Sequence, residues 1–497
     1  MTVAGIENSG QKAYGSAPTG HLEMKCFPTS KKYDSHRPVK AIIVGAGIGG
    51  TTAALLLSRK VKNITIDVYD RFANIVRYLG LSSQCVSDEV KREEHGHPIS
   101  TQASPVMYAY QLSFAPNTQW FEYYPKDSEI QKCHQDTVKS FGLFDRFHLQ
   151  HEVLRATWLE HEHLWSYHVR DLKNNSHTHS ADFLVSSQGQ INVPNLPAIK
   201  GHGTKFQGEV IHTARWRPEV ELTGKRVAGI GNGASGQQLV PNILPQVANI
   251  DHYVRTKTWM TATFARDLYE VTADVPGGPK FTKEELNLFQ SDPKAYLEFR
   301  RKLELRLHHP PGTDVLGSEA NQILRRTIIE IMLHRIRGDE QLLARILPDY
   351  APGCKRLTPA PGYLEALVGP KVDYVTDPIV RVDGTGIWTS DKVHREVDVI
   401  IAARGNARGG TIPLQIEITS TFIAKAIRKV QSQLYSALHP SENVAPDFNN
   451  IVAGHFENKV AMDKCNTWFR QAPGRSRVLV TWPGSYHHRA SILRDPQ

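Results

Sequence analysis

The sequence predicts an α/β protein with two Rossmann-like dinucleotide-binding domains and a helical insertion in the second one. Two short apolar stretches each predict a buried strand, and a glycine-rich turn of the form G-x-G-x-x-G follows each stretch directly. The length of 497 residues also exceeds what one compact core usually holds. The expected parts are a flexible segment 1–38, a first domain 39–205, a second domain 206–355 with its insertion at about 265–345, and a C-terminal part of the first domain 356–497.

The first unit begins with the apolar run Val39–Val44, which predicts a strand buried on both faces. The turn Gly45-Ala46-Gly47-Ile48-Gly49-Gly50 follows it. A helix is then expected over residues 51–59 and a second strand over residues 64–69. This order of elements predicts one βαβ unit with parallel strands.

Each fingerprint glycine of this turn has its own physical reason. Gly45 allows the tight turn, Gly47 lets backbone N–H groups approach a pyrophosphate, and Gly50 lets the helix pack close to the strand. Asp70 lies 20 residues after Gly50, where a carboxylate can accept hydrogen bonds from ribose hydroxyls. These residues predict a site for a dinucleotide that has no ribose phosphate.

The second unit begins with Arg226–Ile230, and its next strand is expected at residues 250–254. That strand is followed by Arg255-Thr256-Lys257 rather than by an acid, and an arginine there can bind a ribose 2′-phosphate. The second site is therefore predicted to bind NADPH. The residues expected to contact the cofactor here are Gly231, Asn232, Gly233, Ala234, Ser235, Gly236, Gln238, Arg255 and Thr256.

Helical patterns follow in the second half of the chain. Thr282 and Glu285 have the spacing of a capping box, and residues 323–337 have helical apolar spacing that ends at Gly338. Nearer the C-terminus, one apolar helix face is predicted to consist of Ile423, Ile427, Val430 and Leu434.

Two dinucleotide sites in one chain imply that one cofactor reduces the other. Between them lies Phe206-Gln207-Gly208-Glu209-Val210-Ile211-His212-Thr213-Ala214-Arg215-Trp216, which resembles the F-x-G-x-x-x-H-T-x-x-W motif of Baeyer–Villiger flavin monooxygenases. The segment Gly353-Cys354-Lys355-Arg356-Leu357 resembles the Lys-Arg segment of the same family, and the late C-x-x-W and W-P-G-S segments, at 465–468 and 482–485, are also similar.

The resemblance implies FAD in the first site, NADPH in the second, and insertion of one oxygen atom from dioxygen into a ketone, giving an ester or lactone. It also implies that Arg356 faces the flavin, that Lys355 reaches the NADPH phosphate, and that His212 takes part in domain movement. Within the family, the sequence resembles fungal members that oxidise polyketide ketones in secondary metabolism. Two alternatives remain open: a nitrogen- or sulfur-oxygenating flavin monooxygenase, and a homologue that binds cofactors without turnover.

The chain departs from the family in two places. After Ile75 the family's Gly-Gly-Thr-Trp segment is missing, and the chain continues with Arg77-Tyr78-Leu79-Gly80 into a polar stretch in which Asp88 is a candidate for the family's aspartate. A second segment is missing between Gly405 and Ile416. Loss of the first segment predicts a more exposed flavin ring.

Composition excludes several other classes. The net charge is +9 and the pI is about 9.1, but Lys and Arg are dispersed and no nucleic-acid-binding motif is present. Five widely spaced cysteines argue against a disulfide framework and a zinc site, and no histidine pair has further ligands at metal-like spacing. No apolar stretch predicts a membrane span or a signal sequence. We expect an intracellular, cytoplasmic enzyme without a metal; the sequence leaves the oligomeric state open.

Overall fold

The computed structural model describes residues 36–76, 110–120, 125, 127–189, 194, 196–203, 205–262, 281–307, 311–403, 412–438, 440–465, 470, 478, 482–484 and 486–494. Residues 1–35 of the predicted flexible segment lie outside this part. So do Arg77 to Gly80, Asp88, Arg404, Gly405 and Trp468, on which the comparison with the family motifs partly depends.

The first nucleotide-binding fold is a parallel sheet that lies beside a three-stranded antiparallel sheet. The apolar run before the first glycine turn forms its strand β1, as predicted, and the parallel order is β3-β2-β1-β7. The antiparallel order is β4-β5-β6. The strands are β1 (Val39–Val44), β2 (Ile64–Asp70), β3 (Phe147–Leu149), β4 (His151–Leu159), β5 (Leu164–Asp171), β6 (Ser176–Ala181) and β7 (Phe183–Ser186).

The second fold is a five-stranded sheet in which every pairing is parallel, with the order β11-β10-β9-β15-β8. A small antiparallel sheet, β12-β13-β14, is inserted between its last two strands in the sequence. The strands are β8 (Glu209–His212), β9 (Arg226–Ile230), β10 (Asn249–Tyr253), β11 (Val372–Val375), β12 (Ile379–Val382), β13 (Gly386–Thr389), β14 (His394–Glu396) and β15 (Val399–Ala402).

This sheet corrects the domain boundary expected at residues 355 and 356. Strands β11 and β15 lie after that boundary, yet they pair with β10, β9 and β8 of the second fold. Their backbone groups need ladder partners, and the sheet begun by β9 and β10 provides them. The second fold therefore extends to about residue 403, and only the chain after it returns to the first fold.

The helices connect and cover the two sheets. α1 and α3 begin within the glycine turns, at Ile48 and Ala234, and each follows its strand as the βαβ pattern predicts. Their bounds are α1 (Ile48–Lys60), α2 (Asp127–Ser140), α3 (Ala234–Ile243), α4 (Lys283–Ser291), α5 (Pro293–Leu307), α6 (Glu319–Arg335), α7 (Glu340–Ile346), α8 (Tyr363–Leu367), α9 (Ile412–Ser432), α10 (Val444–Phe456) and α11 (Tyr486–Arg494), with short 3₁₀ turns at Phe144–Arg146 and Val460–Met462.

The C-terminal return to the first fold is made by α9. Ala424 and Ile427 of α9 share a core with Ala54 and Leu57 of α1, because both helices bury an apolar face there. Ile427 and Val430 are buried as the predicted helix face requires, and Ile423 packs against the same core. Leu434 does not belong to this face: it lies beyond the end of α9, with φ of 58° and an exposed side chain.

The helical insertion contains α4 to α7, and two of its helix signals are confirmed. Thr282 and Glu285 exchange both hydrogen bonds of a capping box at the start of α4. The helix expected over residues 323–337 is α6, which starts earlier because the Ser318 side chain caps it, and Gly338 follows with φ of 81°. From α5, Tyr296 reaches the first fold, where its hydroxyl lies 2.9 Å from the Gln111 side-chain nitrogen.

One covalent link joins two of the widely spaced cysteines, from which the sequence predicted no disulfide framework. Cys354 and Cys465 form a disulfide, and both residues are buried. They are 111 residues apart in the sequence, so spacing gave no sign of the pair. Among the described cysteines, Cys133 is free. None of the helices in the described ranges combines the length and the apolar character that crossing a bilayer requires.

Candidate active site

The first glycine turn has the shape that a pyrophosphate site requires. Gly45 has φ of 107°, and a Cβ there would lie 2.5 Å from the Ser187 carbonyl oxygen, so only glycine fits. A Cβ on Gly50 would overlap the Gly45 carbonyl oxygen, which lets α1 pack closely. A Cβ on Gly47 would meet nothing within 4 Å. Packing within the protein therefore does not require glycine at Gly47. The open space beside it suits a bound ligand.

Asp70 supports this turn directly. Its Oδ2 accepts a hydrogen bond of 2.7 Å from the Ala46 N–H, and its Oδ1 accepts one of 2.9 Å from the Phe72 N–H. The Val76 N–H donates to the Ala46 carbonyl oxygen at 2.8 Å, so the chain after β2 folds across the turn. Each carboxylate oxygen has a second lone pair, so Asp70 can hold the turn and still accept from a ribose hydroxyl.

The second turn repeats this construction. Gly231 has φ of 117°, and a side chain there would overlap the Ala403 carbonyl oxygen. A Cβ on Gly236 would overlap the Gly231 carbonyl oxygen, as in the first turn. The N-cap residues of α1 and α3 are Gly47 and Gly233, and neither has a side-chain cap. Both helix N-termini therefore present backbone N–H groups that suit phosphate oxygens.

Asn232 gives a separate indication of a ligand at the second turn. Its side chain is 7% exposed, and within the described part of the chain neither its amide nitrogen nor its amide oxygen has a hydrogen-bond partner. Buried amides are rarely left in this state, so the side chain fits a site that a bound molecule completes. Of the other predicted contacts, Ala234 and Ser235 open α3, and Gln238 lies half-buried one turn later, with its carbonyl oxygen accepting from Asn242.

The Lys-Arg segment runs alongside the residues that follow β10. Met260 and Thr358 form a parallel bridge, and the Thr261 N–H donates to the Thr358 carbonyl oxygen at 2.9 Å. The Thr358 hydroxyl donates to the Gln237 side-chain oxygen on α3 at 2.7 Å. These contacts attach the Lys-Arg segment to the stretch after β10, which contains Arg255. They also attach it to α3, which starts within the second glycine turn.

This pairing places Lys355 within range of the positive charge of Arg255. Burial, and then the positive charge of Arg255, lower the pKa of Lys355 to about 8. The Lys355 ammonium also lies 5.8 Å from the centre of the Tyr350 ring. Arg255 is exposed, and Thr256 beside it is half-buried. The positive charges of Lys355 and Arg255 repel each other when no ligand is bound. A dianionic phosphate would neutralise both charges, so this position suits a phosphate.

Arg356 is half-buried and follows Lys355 directly, between the buried residues Cys354 and Leu357. The disulfide of Cys354 therefore fixes the chain two residues before Arg356 to the segment that ends at Cys465. A second attachment lies close by, where the Ala351 N–H donates to the Asp463 carboxylate at 2.6 Å. The Lys-Arg segment is thus held from the C-terminal side of the chain as well as from α3.

His212 lies at the carboxyl end of β8, where it pairs with Ala402 of β15. It is 6% exposed, and its Nδ1 accepts a hydrogen bond of 3.0 Å from the Ala214 N–H. Ala403, the next residue of the neighbouring strand, packs against Gly231. The histidine of the linker motif therefore lies close to the second glycine turn, and its role in domain movement stays a prediction.

Sequence reasoning missed Arg335, which organises the chain after the Lys-Arg segment. Its guanidinium donates to the carbonyl oxygens of Pro359 and Ala360, both at 2.6 Å, and to the Glu365 carboxylate at 2.7 Å. The side chain is only 5% exposed, and an arginine is seldom buried without such partners. Its place at the end of an amphipathic helix gave no signal for this role. Across the described ranges, no three His, Cys, Asp or Glu side chains are grouped as metal ligands.

Known proteins resemble this chain in both sequence and fold. The FAD-binding monooxygenase tazF of Aspergillus terreus is 33% identical over 432 residues, which cover 76% of this chain and 76% of that protein. The chain belongs to the FAD-binding monooxygenase family. This membership confirms the predicted enzyme class and the flavin cofactor.

Further relatives of this monooxygenase agree with the resemblance to Baeyer–Villiger enzymes. A Baeyer–Villiger monooxygenase of Pseudomonas aeruginosa is 30% identical over 306 residues, covering 62% of this chain and 54% of that protein. A crystal structure of cyclohexanone monooxygenase from Rhodococcus sp. Phi1 bound to NADP⁺ has a TM-score of 0.73 at 20% identity and covers 92% of this chain and 97% of that one. The fold class predicted from the sequence is thereby confirmed. No protein-family model matches the chain.

Proposed function

We propose that this monooxygenase uses NADPH and dioxygen to convert a ketone into an ester or lactone. The observation that carries the use of NADPH is the backbone pairing of the Lys-Arg segment with the stretch after β10, which places Lys355 within range of the positive charge of Arg255. This arrangement supports NADPH, because a 2′-phosphate would neutralise the two cations. In the first unit, the strand after the glycine turn ends in the carboxylate of Asp70 rather than in a cation, and this supports FAD at that site.

In the first site, the backbone N–H groups at the start of α1 would hold the FAD pyrophosphate, and Asp70 would accept from the adenosine ribose. In the second, the start of α3 would hold the NADPH pyrophosphate, while Arg255, Thr256 and Lys355 would bind the 2′-phosphate. Bound FAD supplies hydride acceptance and dioxygen activation. The permanent charge of Arg356 would stabilise negative charge that develops on oxygen during the transfer to the ketone.

The ketone class rests on two features of the chain, namely the linker motif that contains His212 and the Lys-Arg segment. The partners are then a ketone and dioxygen. A cytoplasmic location is part of the proposal, because the reaction consumes NADPH. The Cys354–Cys465 disulfide is compatible with it, since both sulfur-bearing residues are buried away from soluble thiols.

The test is product analysis with labelled oxygen. FAD-loaded protein is supplied with NADPH, ¹⁸O₂ and a panel of cyclic and aromatic ketones, with an amine and a sulfide as competing acceptors. The proposal expects an ester or lactone that carries one labelled atom. Labelled N-oxide or sulfoxide without ester would favour the heteroatom-oxygenating alternative, and failure to bind FAD at all would favour a non-catalytic homologue.

A further inference from the structure

A buried histidine lies directly behind the second glycine turn. His252 belongs to β10 and is completely buried. Its Nε2 lies 3.0 Å from the Gly231 carbonyl oxygen, and its Nδ1 lies 2.8 Å from the Tyr363 hydroxyl. A carbonyl oxygen can only accept, so Nε2 carries the proton and Nδ1 accepts from the tyrosine. The two partners therefore select one tautomer of a neutral ring, and burial lowers the pKa of His252 to about 4.

The bond to Gly231 controls the orientation of a phosphate-binding amide. In a planar trans peptide the C=O and N–H groups point in opposite directions. Holding the Gly231 oxygen toward His252 therefore holds the Asn232 N–H on the other face of the turn. Backbone N–H groups on that face are the donors that a dinucleotide pyrophosphate uses.

The other partner of His252 belongs to the chain that follows the Lys-Arg segment. Tyr363 is completely buried and opens α8, and Gly362 before it packs against Pro241 of α3. Arg335 holds the preceding turn through the bonds described above. The contacts with α3 and Arg335 therefore position the Tyr363 hydroxyl within the same stretch of chain that contains Lys355.

We propose that His252 and Tyr363 are positioning residues for NADPH, which link the pyrophosphate-binding turn to the segment that carries Lys355 and Arg356. An aliphatic residue would fill this position of a buried strand without polar groups, so the fully partnered imidazole has a specific use there. This inference rests on the proposed use of NADPH. It adds two residues that do not touch the nucleotide and act through Gly231.

Two substitutions of His252 separate its two hydrogen bonds. His252→Gln places an amide nitrogen near the position of Nε2 and keeps a donor for Gly231. His252→Asn reaches only as far as Nδ1, so it keeps a partner for Tyr363 and loses the bond to the turn. Tyr363→Phe removes the hydroxyl alone and preserves ring packing, which makes it the mildest change.

Binding is measured by calorimetric titration with NADP⁺ and NAD⁺, alongside FAD occupancy and the thermal unfolding midpoint. His252→Asn should raise the Kd of NADP⁺ roughly fivefold, the effect of losing one neutral hydrogen bond, whereas His252→Gln should stay within about twofold. Both nucleotides share the pyrophosphate, so the Kd of NAD⁺ should rise by the same factor as that of NADP⁺. FAD occupancy should not change. Tyr363→Phe should weaken binding less than His252→Asn and add little to it in the double variant.

The outcomes distinguish this inference from the proposed function. Wild-type protein that does not bind NADP⁺ would overturn the use of NADPH and this inference together. Wild-type protein that binds NADP⁺, with equal Kd values in His252→Gln and His252→Asn, would overturn this inference alone. A lower unfolding midpoint in all three variants with unchanged Kd values would assign the pair a purely structural role and would also overturn it.

Discussion

Raising the pH from about 7 to about 9 should weaken the binding of NADP⁺ because Lys355 loses its proton in that interval. Burial and the neighbouring Arg255 place the pKa of Lys355 at about 8 in the protein without nucleotide. A bound 2′-phosphate favours the charged ammonium and raises this pKa. Nucleotide binding above neutral pH should therefore be accompanied by proton uptake.

The size of the effect follows from the fraction of protonated lysine. With a pKa of about 8, that fraction falls from about nine-tenths at pH 7 to about one-tenth at pH 9, so the affinity should fall about tenfold. The 2′-phosphate has its second pKa near 6 and remains a dianion over this range. The change is thus expected to come from the protein side of the contact.

The assay is calorimetric titration with NADP⁺ at several pH values, in buffers of different ionisation enthalpy that reveal proton uptake. Two controls are available. NAD⁺ lacks the phosphate and should show a flat profile, and Lys355→Arg keeps its charge throughout and should remove the pH dependence for NADP⁺. Parallel profiles for the two nucleotides, or an unchanged profile in Lys355→Arg, would refute the assignment of Lys355 to the phosphate.

Three further predictions concern the same region. Arg255→Ala should cost about 1.5–3 kcal/mol of NADPH binding, as for a hydrogen bond to a charged group, and should spare NADH; equal losses measured for both nucleotides would contradict it. Arg356→Ala should still oxidise NADPH but release hydrogen peroxide in place of ester, because the developing oxyanion loses its counter-charge; ester formation at a near-normal rate would assign the role to another residue. Cys465→Ser should lower the free energy of unfolding by up to about 5 kcal/mol, since the Cys354 link closes a long loop; an unfolding midpoint that neither the substitution nor a reductant changes would show that the link does not form.

The two glycine turns and the position of Asp70 were predictable, because each depends on a short stretch of sequence. A turn with glycines at fixed spacing admits few backbone paths, so a side chain at Gly45, Gly50, Gly231 or Gly236 would overlap the backbone, as the motif implies. The position of Asp70 at the end of β2 also follows from the length of one βαβ unit. Its hydrogen bond to the turn was not foreseen, because it depends on the path of the backbone.

Residue spacing alone did not predict the contacts between distant segments, and only the family resemblance implied that Lys355 and Arg255 lie near one phosphate. Lys355 approaches Arg255 only because two stretches that lie far apart in the sequence pair side by side. The Cys354–Cys465 link and the contact of His252 with Tyr363 depend on similar long-range packing. The domain boundary was misplaced for the same reason, because a strand joins whichever sheet edge offers it ladder partners.

The proposed reaction is tested most directly by the absorption spectrum of the flavin when NADPH is added without oxygen. FAD bound at the first turn should be reduced by NADPH bound at the second. We expect a yellow protein whose flavin absorbance bleaches on anaerobic addition of NADPH and returns when air is admitted. A protein that cannot be reconstituted with FAD, or a bound flavin whose spectrum NADPH leaves unchanged, would contradict the proposed reaction.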